Sequence, residues 1–524
     1  INPMELYHNQ VTRVQRGFSL RMFHRSWGLM LIQANLRAPC TLLDFPTRDR
    51  FVEEIRSRQY DVVGIGAIMP NVGKVREMCR LIREHQPGAS IVVGGHVANL
   101  PDLDQRIDAD HIVRGEGISW MRRYLGEDAS GPVRHPHMLS GIGTRTMGVT
   151  LAEKPGDTAA TLIPSVGCPL GCNFCATSAM FGGKGSSYHF YPTGDDLFAV
   201  MCELEQEMQV RSFFVMDENF LFHRKRALRL LELMRLKDKS WSLYVFSSAN
   251  VLRSYSMEQL VGLGLSWVWM GLEGESASYA KLQGADTRQL VRTLQDHGIC
   301  VLGSSIIGLE EHASHNIDAA IEHAVGHDTE FHQFMLYTPL PGTPLHAEHK
   351  AKGTLLGKEE VDEADVHGQF RFNFRHPRIH CGEETEFLLR AFQRDFDANG
   401  PSSVRMARTL LKGYRRYKDH PDPRIRRRYI WEARELAVNY AGALWAARRA
   451  FAGNAALAAR IDAVQAEVVR EFGWKTRIAA PLVGTYLRWM LWREEARLRR
   501  GWTYEPPTFY ERKAATVWLR GVTG

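Results

Sequence analysis

The chain of 524 residues is too long for one hydrophobic core, so two or three domains are expected. Its apolar content of 44% and charged content of 24% are ordinary for a globular protein, and its eight mostly scattered cysteines exclude a disulfide framework. The net charge of +7 hides an asymmetry, because residues 401–524 hold 25 Lys and Arg against 11 Asp and Glu and so carry all of the basic excess.

Residues 1–145 alternate apolar strands with amphipathic helices. Strands are predicted at Cys40–Asp44, Asp61–Ile68, Ile91–His96 and Ala109–Val113, and helices at Phe51–Arg58 and Val75–His85. Because the strands are continuously apolar, this order predicts a doubly wound parallel sheet that is buried on both faces. Ile1 to Pro3 is typical of the end of a first strand, and we expect that strand to lie upstream of residue 1.

Small and polar residues follow these strands, at the edge where doubly wound sheets bind their ligands. They are Asp44, Met69, Pro70, Asn71, Gly94, Gly95, His96, Gly115, Glu116 and Gly117. Glycines let a backbone approach a flat or phosphorylated ligand closely. By themselves these residues also fit a nucleotide site or a purely structural role.

Three cysteines lie within eight residues, directly after an apolar run that predicts a strand. They form the sequence Cys168-Pro-Leu-Gly-Cys172-Asn-Phe-Cys175. Thiolates are standard ligands of iron–sulfur clusters, and three of them leave one iron of a [4Fe–4S] cluster open to an amine and a carboxylate. A zinc knuckle or three core cysteines are the alternatives, but structural zinc takes four ligands and no fourth Cys or His follows in a paired spacing.

From Ala160 onward the pattern becomes six strand–helix units. The strands are predicted at Ala160–Val166, Ser212–Met216, Ser242–Phe246, Trp267–Leu272, Cys300–Ile307 and Phe331–Tyr337. Such a run closes into a full or partial barrel, with the chemistry at the carboxyl ends of the strands. Residues 134–157, rich in Gly, Pro and His, are predicted to link the barrel to the first region.

The cysteine motif, with its aromatic residue before the last cysteine, resembles the signature of radical S-adenosylmethionine (SAM) enzymes. Asp61–Asn71, Ile91–His96 and Val113–Gly117 resemble the cobalamin-binding domain of the cobalamin-dependent members. The resemblance implies an α/β fold in three parts: a doubly wound cobalamin-binding domain (1–145), a partial (βα)6 barrel (158–345) and a mainly helical basic region (346–524). It also implies three cofactors, namely cobalamin, SAM and a [4Fe–4S] cluster held by Cys168, Cys172 and Cys175.

On the cobalamin side, the resemblance assigns the strand-end residues of the first region to the cofactor. The DxHxxG motif, which supplies a histidine to cobalt in other cobalamin domains, is absent. The lower face of the corrin is therefore expected to meet the loop Met69–Asn71 without a strong ligand. His96 is either a cobalt ligand or a loop histidine near the nucleotide tail.

On the SAM side, Asp217, Glu218 and Asn219 occupy the position where the family holds the methionyl amine, which suits carboxylate and amide oxygens. Residues expected to reach the ribose hydroxyls are Ser247, Ser248, Asn250, Glu273 and Glu310. Solvated acids or helix N-caps are the alternative for all of them. Candidates for proton transfer near substrate are Tyr188, His189 and Tyr191, and a loop packed on the barrel rim is the alternative.

The C-terminal region is predicted to be helical and basic. Helices are predicted at Glu383–Asn399, Arg408–Asp419, Arg434–Ala452, Ala456–Phe472 and Ile478–Arg500, with a Pro-broken stretch over Asp419–Arg428. The last helix is apolar, then rich in Trp and Arg (Trp489, Trp492, Arg493, Arg497, Arg499 and Arg500), and too short in its apolar part to span a bilayer. Peripheral membrane contact and a helical cap with a solvated basic face both fit this composition, and no nucleic acid is expected.

The function implied by the resemblance is methylation of an unactivated carbon. Given the C-terminal region, we expect an apolar, lipid-like substrate such as a hopanoid or another polycyclic triterpenoid. Ring formation, rearrangement or carbon–carbon coupling without methylation is the alternative within the class, and a non-catalytic cobalamin and cluster sensor is the alternative outside it. We expect a reducing cytoplasmic setting with membrane association, and an electron donor such as flavodoxin or ferredoxin.

Overall fold

The computed structural model describes residues 14, 25–140, 145–146, 149–150, 158–274, 282, 286–500 and 508–514. The expectation about Ile1 to Pro3 and most of the predicted linker after residue 140 lie outside these ranges. No helix within them is long and apolar enough to cross a bilayer.

The first region contains a small parallel sheet with helices packed on it. Its strands are β1 (Cys40–Asp44), β2 (Val62–Gly66), β3 (Ser90–Gly94) and β4 (His111–Ile112), and its helices are α1 (Trp27–Ala34), α2 (Arg48–Ser57), α3 (Val72–His85) and α4 (Gly117–Tyr124). Strands β2, β3 and β4 pair in that order, all parallel. Their apolar side chains form one core with α2 and α3, in which Ile82, Ile91 and Val93 are fully buried. The predicted α/β fold of this region is confirmed.

Strand β1 does not join that sheet in the part of the chain that the structure describes. It pairs antiparallel with the last strand, β15 (Phe509–Lys513), with Cys40 opposite Lys513 and Asp44 opposite Phe509. The Lys513 Nζ donates to the carbonyls of Gln33, Ala34 and Leu36 at the end of α1. The C-terminal end of the described chain is thus bound to the first region.

A short hairpin, β5 (Arg145–Thr146) and β6 (Val149–Thr150), precedes the barrel. The barrel strands are β7 (Ala159–Leu162), β10 (Ser212–Val215), β11 (Ser242–Ser247), β12 (Leu265–Gly271), β13 (Cys300–Ile307) and β14 (Phe331–Leu336). They form one parallel sheet in sequential order, as expected for a partial (βα)6 barrel. The run predicted as one strand over Ala160–Val166 is divided, because β8 (Ser165–Val166) leaves the sheet and pairs antiparallel with β9 (Tyr188–His189).

Helices cover the outside of this sheet. They are α5 (Ala176–Met180), α6 (Gly194–Met208), α7 (Arg224–Leu236), α8 (Ala249–Leu252), α9 (Met257–Gly262), α10 (Thr287–Asp296) and α11 (Ile317–Val325). Outward-facing strand residues such as Phe213, Val245 and Val268 are buried against them in the largest core of the molecule. The alternate residues of each strand consequently face the interior of the barrel.

The remaining helices are α12 (Pro344–Ala351), α13 (Glu383–Asn399), α14 (Ser402–Tyr417), α15 (Pro423–Ala433), α16 (Ala441–Ala450), α17 (Ala455–Phe472) and α18 (Trp474–Arg499), with a π-helical turn at Leu436–Tyr440. The predicted broken stretch over Asp419–Arg428 is shorter in the structure: residues 418–422 separate α14 from α15, and the chain is helical from Pro423 onward. Asp422 caps α15 by accepting from the Arg424 N–H, and Pro423 occupies its first turn. Helix α15 closes the amino ends of two barrel strands, since Glu432 accepts from Ser242 Oγ at 2.6 Å and Arg428 donates to the Leu265 carbonyl at 2.9 Å.

Candidate functional site

The cysteine loop runs from the carboxyl end of the first barrel strand into α5. Gly167 (φ 84°) and Gly171 (φ 63°) adopt left-handed conformations, and a Cβ on Gly171 would lie 2.5 Å from the Lys184 Cα. Cys175 is the N-cap of α5, and its Sγ accepts from the Ser178 N–H at 3.4 Å. Ser178 Oγ also donates to the Cys168 carbonyl at 2.9 Å. The loop is therefore held by its own backbone and by α5.

The three thiols share one partly exposed surface. Burial, with smaller contributions from the neighbouring Cys175, Cys172 and Glu218, raises the pKa of the Cys168 thiol to about 11. Among the described residues no three His, Cys, Asp or Glu side chains converge as a single metal ion would require. A four-iron cluster makes a different demand, because each thiolate binds a different iron atom. The donor set, three thiolates on one loop, fits such a cluster.

Glu218 lies beside this loop, at the carboxyl end of β10. Its Oε2 is shielded from solvent and has no hydrogen-bond partner among the described residues. Burial, with a contribution from nearby Asp217, raises the pKa of its carboxyl to about 7. An unsatisfied buried carboxylate oxygen is costly unless a ligand completes it. It fits the ammonium of a bound methionyl group.

The carboxylate of Asp217, the residue before it, already has hydrogen-bond and ion-pair partners within the protein. It is 3% exposed and forms an ion pair of 2.6 Å with Arg226, which is equally buried. Ser165 Oγ and the Asn219 N–H also donate to its carboxylate. These contacts make Asp217 a positioning residue for the loop in this structure, and its predicted role toward SAM stays a prediction. Sequence reasoning missed Arg226, because nothing in the sequence distinguishes it from Arg224 and Lys225 at the start of the same helix.

A polar network crosses from β10 to β11. Asn219 Nδ2 donates to Ser248 Oγ at 3.1 Å, and Ser247 Oγ donates to Asn219 Oδ1 at 3.1 Å. Ser248 Oγ in turn donates to Asn250 Oδ1 at 2.8 Å. The structure thus brings four of the predicted SAM residues together around Asn219.

The two other acids predicted to contact SAM differ in position. Glu273 is buried directly after β12, and its backbone is left-handed with φ 50°, a conformation that side-chain-bearing residues adopt rarely. Glu310 is exposed after β13, and its carbonyl accepts from Arg378. Of the two, Glu273 is enclosed by the protein and Glu310 is open to solvent.

Most of the polar residues predicted to bind cobalamin have structural partners. Asp44 accepts from Ser26 N–H and Ser26 Oγ at 2.8 and 2.6 Å at the start of α1. Glu116 is the N-cap of α4 and accepts from Ile118 and Ser119 N–H groups. These contacts agree with the structural alternative for both residues and leave the glycines beside Glu116 as the open part of the strand ends.

The strand ends of the first region face the cysteine loop. His96 Nε2 lies 3.3 Å from Thr177 Oγ1, and Asn99 Nδ2 donates to the Ala176 carbonyl at 3.4 Å. Burial lowers the pKa of His96, which favours the neutral ring. Gly95 is left-handed, and a Cβ there would lie 2.6 Å from the Ala67 carbonyl oxygen. The two predicted cofactor regions are therefore in direct contact.

The loop Met69–Asn71 forms a 3-10 turn at the end of β2, and Met69 is buried. It packs against a second short turn, Glu363–Asp365, from the segment after α12. Arg106 of the first region pairs with Glu363 across this contact. The predicted lower-face loop is thus supported from the C-terminal region, which the sequence did not indicate.

A cleft of about 360 Å³ lies between the two regions. It is lined by Gly115, Glu116, Ser119, Arg123, Met180, Phe181, Ser187 and Tyr188. One wall is formed by Gly115 and the start of α4, and the other by the end of α5 and the segment that follows it. Gly115, Ser119 and Ser187 leave part of this lining free of large side chains, next to the strand ends where the resemblance places cobalamin.

The three candidate proton-transfer residues have separate environments. Tyr188 is exposed at the cleft, with its hydroxyl 3.4 Å from Ser119 Oγ. His189 packs edge-on against His223 at 4.3 Å, and burial lowers the pKa of both rings. Tyr191 is buried and donates to the Val133 carbonyl at 3.1 Å, so it is part of the packing. Tyr188 alone among them lines the cleft.

Comparison with known proteins gives a match over the first region. Residues 18–124 match the family model of the B12 binding domain. An uncharacterized methyltransferase of Pyrococcus horikoshii is 25% identical over 336 residues, which cover 56% of this chain and 71% of that protein. A bacteriochlorophyllide d C-12(1)-methyltransferase of Chlorobaculum tepidum is 26% identical over 327 residues, which cover 59% of this chain and 70% of the relative.

Two further similarities are more distant. A hopanoid C-2 methylase of Rhodopseudomonas palustris is 22% identical over 354 residues, covering 63% of this chain and 62% of the methylase. A radical SAM methyltransferase of Kitasatospora setae, solved with cobalamin and a [4Fe–4S] cluster bound, superposes with a TM-score of 0.47 at 16% identity, over 74% of this chain and 90% of that one. The B12 binding match confirms the predicted cobalamin-binding domain, and the methyltransferase relatives agree with the class predicted from the sequence, a cobalamin-dependent radical SAM enzyme of the methyltransferase kind.

Proposed function

We propose that the enzyme methylates an unactivated carbon of an apolar, lipid-like ring system such as a hopanoid or another polycyclic triterpenoid. The observation that carries this proposal is the interior of the barrel. None of the six barrel strands contains Asp, Glu, Lys or Arg. The interior is therefore a poor site for a charged substrate and a good one for a hydrocarbon.

Aromatic side chains line that interior. Phe246 and Trp269 stack with ring centroids 4.9 Å apart, and Phe214 lies 5.9 Å from Phe246 on its other side. Trp267 packs beside Phe331 at 6.0 Å. Such rings offer large flat surfaces that match a flat, rigid ligand.

The interior is also open. Along β11 and β12, the inward residues Tyr244, Phe246, Trp267 and Trp269 are partly exposed, whereas their outward neighbours are buried. Met406 of α14 and Tyr440 pack with the two tryptophans, so the helical region supplies part of the wall. A substrate could lie against these rings below the polar network at the strand ends.

Residues at different positions would hold the different cofactors. Cys168, Cys172 and Cys175 would hold the cluster, and Glu218 would accept from the methionyl ammonium of SAM. When bound, the cofactors supply hydrogen-atom abstraction and a transferable methyl group, while the protein orients the partners and excludes water. The strand ends of the first region, packed on the cysteine loop, would place cobalamin next to the same cavity.

The relatives support a ring-containing substrate without deciding which one. One is named for a hopanoid and another for a bacteriochlorophyllide, and both names denote large ring systems. Radical chemistry without methylation is the second candidate within the class. An electron donor such as flavodoxin or ferredoxin is proposed as the physiological reductant.

The test is a turnover assay on anaerobically reconstituted protein with cobalamin, SAM and a strong reductant. A pentacyclic triterpenoid, a magnesium-free chlorophyllide and no substrate are compared, with 5′-deoxyadenosine, S-adenosylhomocysteine and product mass measured together. The proposal expects both SAM products and a methylated triterpenoid. Methylation of the chlorophyllide alone would contradict the lipid substrate, and 5′-deoxyadenosine without S-adenosylhomocysteine would contradict methylation.

A variant pair tests the cavity itself. Trp269→Ala removes half of the stacked pair, and we expect a rise in the apparent KM for the triterpenoid of about tenfold, the scale of one lost aromatic contact. Leu236→Ala is the control, because that apolar side chain is 69% exposed on the outer helix α7. Equal KM values for the two variants would argue against substrate binding at the aromatic wall.

A further inference from the structure

Helix α18 carries a continuous line of exposed apolar side chains. They are Trp474, Ile478, Leu482, Tyr486, Trp489 and Trp492. Leu482 is 70% exposed and Trp492 67%. Spacings of three and four residues place all six on one face, in a stripe of about 27 Å at 1.5 Å per residue.

The opposite face of the same helix is fully used by the fold. Thr476, Ala480, Gly484, Leu487 and Leu491 are buried there. Helix α18 packs along α16, and the contact is so close that a Cβ on Gly484 would lie 2.5 Å from the Trp445 ring. The stripe is therefore an additional apolar face, and the helix does not need it to pack against the rest of the described protein.

Basic residues border the stripe on both sides. Lys475, Arg477, Arg488 and Arg493 are exposed on α18, and residues 474–493 contain no Asp or Glu. Helix α16 adds Arg449, which lies over the Trp445 ring, and Arg448, which pairs with Asp462 at 2.7 Å. Burial lowers the pKa of Arg449, and the nearby Arg488 and Arg448 lower it further. The apolar stripe therefore lies within a field of positive charge.

This combination specifies the partner. A second copy of the same face would bring these arginines and lysines together, so self-association is disfavoured. Nucleic acid would use the charges but would leave six large apolar side chains without a role. An anionic bilayer surface uses both, because apolar side chains enter the acyl boundary, Trp and Tyr sit at the headgroup level, and Lys and Arg meet the phosphates. We propose that the stripe of α18 is a docking face for a membrane that contains anionic lipids, with the helix lying in the plane of the interface.

The test is co-sedimentation of the full-length, cluster-reconstituted protein with vesicles. Phosphatidylcholine vesicles are compared with vesicles of phosphatidylcholine and phosphatidylglycerol, at low and high salt. The proposal expects binding to the mixed vesicles, weakened by salt and much weaker without phosphatidylglycerol. Absence of binding to mixed vesicles would overturn it. Because no turnover is measured, this outcome is independent of the proposed reaction and substrate.

Two variants locate the face. Leu482→Glu combined with Trp489→Glu places charge in the stripe, and we expect mixed-vesicle affinity to fall more than about tenfold. Leu236→Glu is the control, since Leu236 is equally exposed (69%) but lies on α7. Far-UV circular dichroism should be unchanged, because all three side chains are on the surface. Equal vesicle binding by the stripe variant and the control would overturn the proposal, as would a concentration-dependent dimer that the stripe variant abolishes.

Discussion

Two glutamates at opposite ends of the barrel show how a site differs from a structural contact. Burial raises the pKa of Glu218, at the carboxyl end, and of Glu330, at the amino end, to about 7 in both cases. Both oxygens of Glu330 are satisfied: one accepts from Thr409 Oγ1 at 2.5 Å and Gln295 Nε2 at 3.1 Å, the other from the Val301 N–H at 2.7 Å. The Oε2 of Glu218 has no such partner among the described residues.

An equally raised carboxyl pKa therefore indicates different things at the two sites. At Glu330 the C-terminal helix α14 completes the carboxylate, so the group locks that helix to the barrel. At Glu218 the missing donor must come from outside the described chain. A raised pKa alone does not distinguish these cases, and the count of hydrogen-bond partners does.

The largest expected effect compares one cysteine at the carboxyl end of the barrel with one at the amino end. Cys175→Ala should abolish the iron–sulfur absorbance and reduce 5′-deoxyadenosine formation at least about a thousandfold, because the cluster loses a thiolate. Cys300→Ala, at the buried start of β13, should keep both within about twofold and cost about 1 kcal/mol of stability. Iron content, visible spectra and product assays check this. Retained iron and activity in Cys175→Ala would show that Cys175 does not hold the cluster.

The second prediction tests the carboxylate of Glu218, whose Oε2 has no hydrogen-bond partner among the described residues. Glu218→Gln should weaken SAM binding to the reconstituted protein by roughly ten- to a hundredfold, since a hydrogen bond to a charged group contributes about 1.5–3 kcal/mol. Equilibrium dialysis with labelled SAM measures it. Glu330→Gln is the matched control and should bind SAM as the unmodified protein does. Equal affinities for the two variants would show that Glu218 does not hold the amine.

The smallest effect concerns pH and stability at the amino end. The unfolded carboxyl of Glu330 titrates near its ordinary pKa, about 4.3, whereas the folded one holds its proton up to about pH 7. The folded state therefore binds the extra proton between these values, and stability falls as pH rises through this window, by on the order of 3 kcal/mol in total. Glu330→Gln should remove that part of the fall.

Thermal unfolding midpoints at pH 5 and pH 8 test this expectation. The unfolding midpoint of the unmodified protein should fall further between the two pH values than that of Glu330→Gln. Glu218→Gln is unsuitable as the comparison because Glu218 lies beside the cysteine loop, so the surface variant Leu236→Glu serves as the control. Parallel pH profiles for Glu330→Gln and the unmodified protein would contradict the assignment.

Local patterns predicted the barrel well. Each strand from β10 to β14 lies within two residues of its predicted bounds, because each is a continuous apolar run next to an amphipathic helix. The cysteine loop was also predictable, since its chemistry is written in the spacing of three residues. Helix α15 was missed although Asp422 and Pro423 are an N-cap and first-turn signal, because the following arginines obscured the apolar face.

Long-range pairings were not predictable. The ion pair of Asp217 with Arg226 and the contact of Arg106 with Glu363 depend on how elements are placed in space, and neither partner is marked in the sequence. Four of the candidate SAM residues, Asn219, Ser247, Ser248 and Asn250, lie together because strand ends of a parallel sheet share one edge, and their role toward SAM stays a prediction. Which of their oxygens stay unsatisfied could be seen only once every partner was in place.

The pairing of β1 with β15 has a consequence for how the protein folds during its synthesis. Arg25 and Glu511, which approach each other there, are 486 positions apart in the chain. A ribosome adding 5–20 residues per second needs roughly half a minute to a minute and a half to cover that distance. During this time the edge of the first region emerges without its partner strand, exposed to other nascent chains. Chaperone contact or slow pausing late in translation would therefore influence how much of the enzyme ever becomes able to load its cofactors.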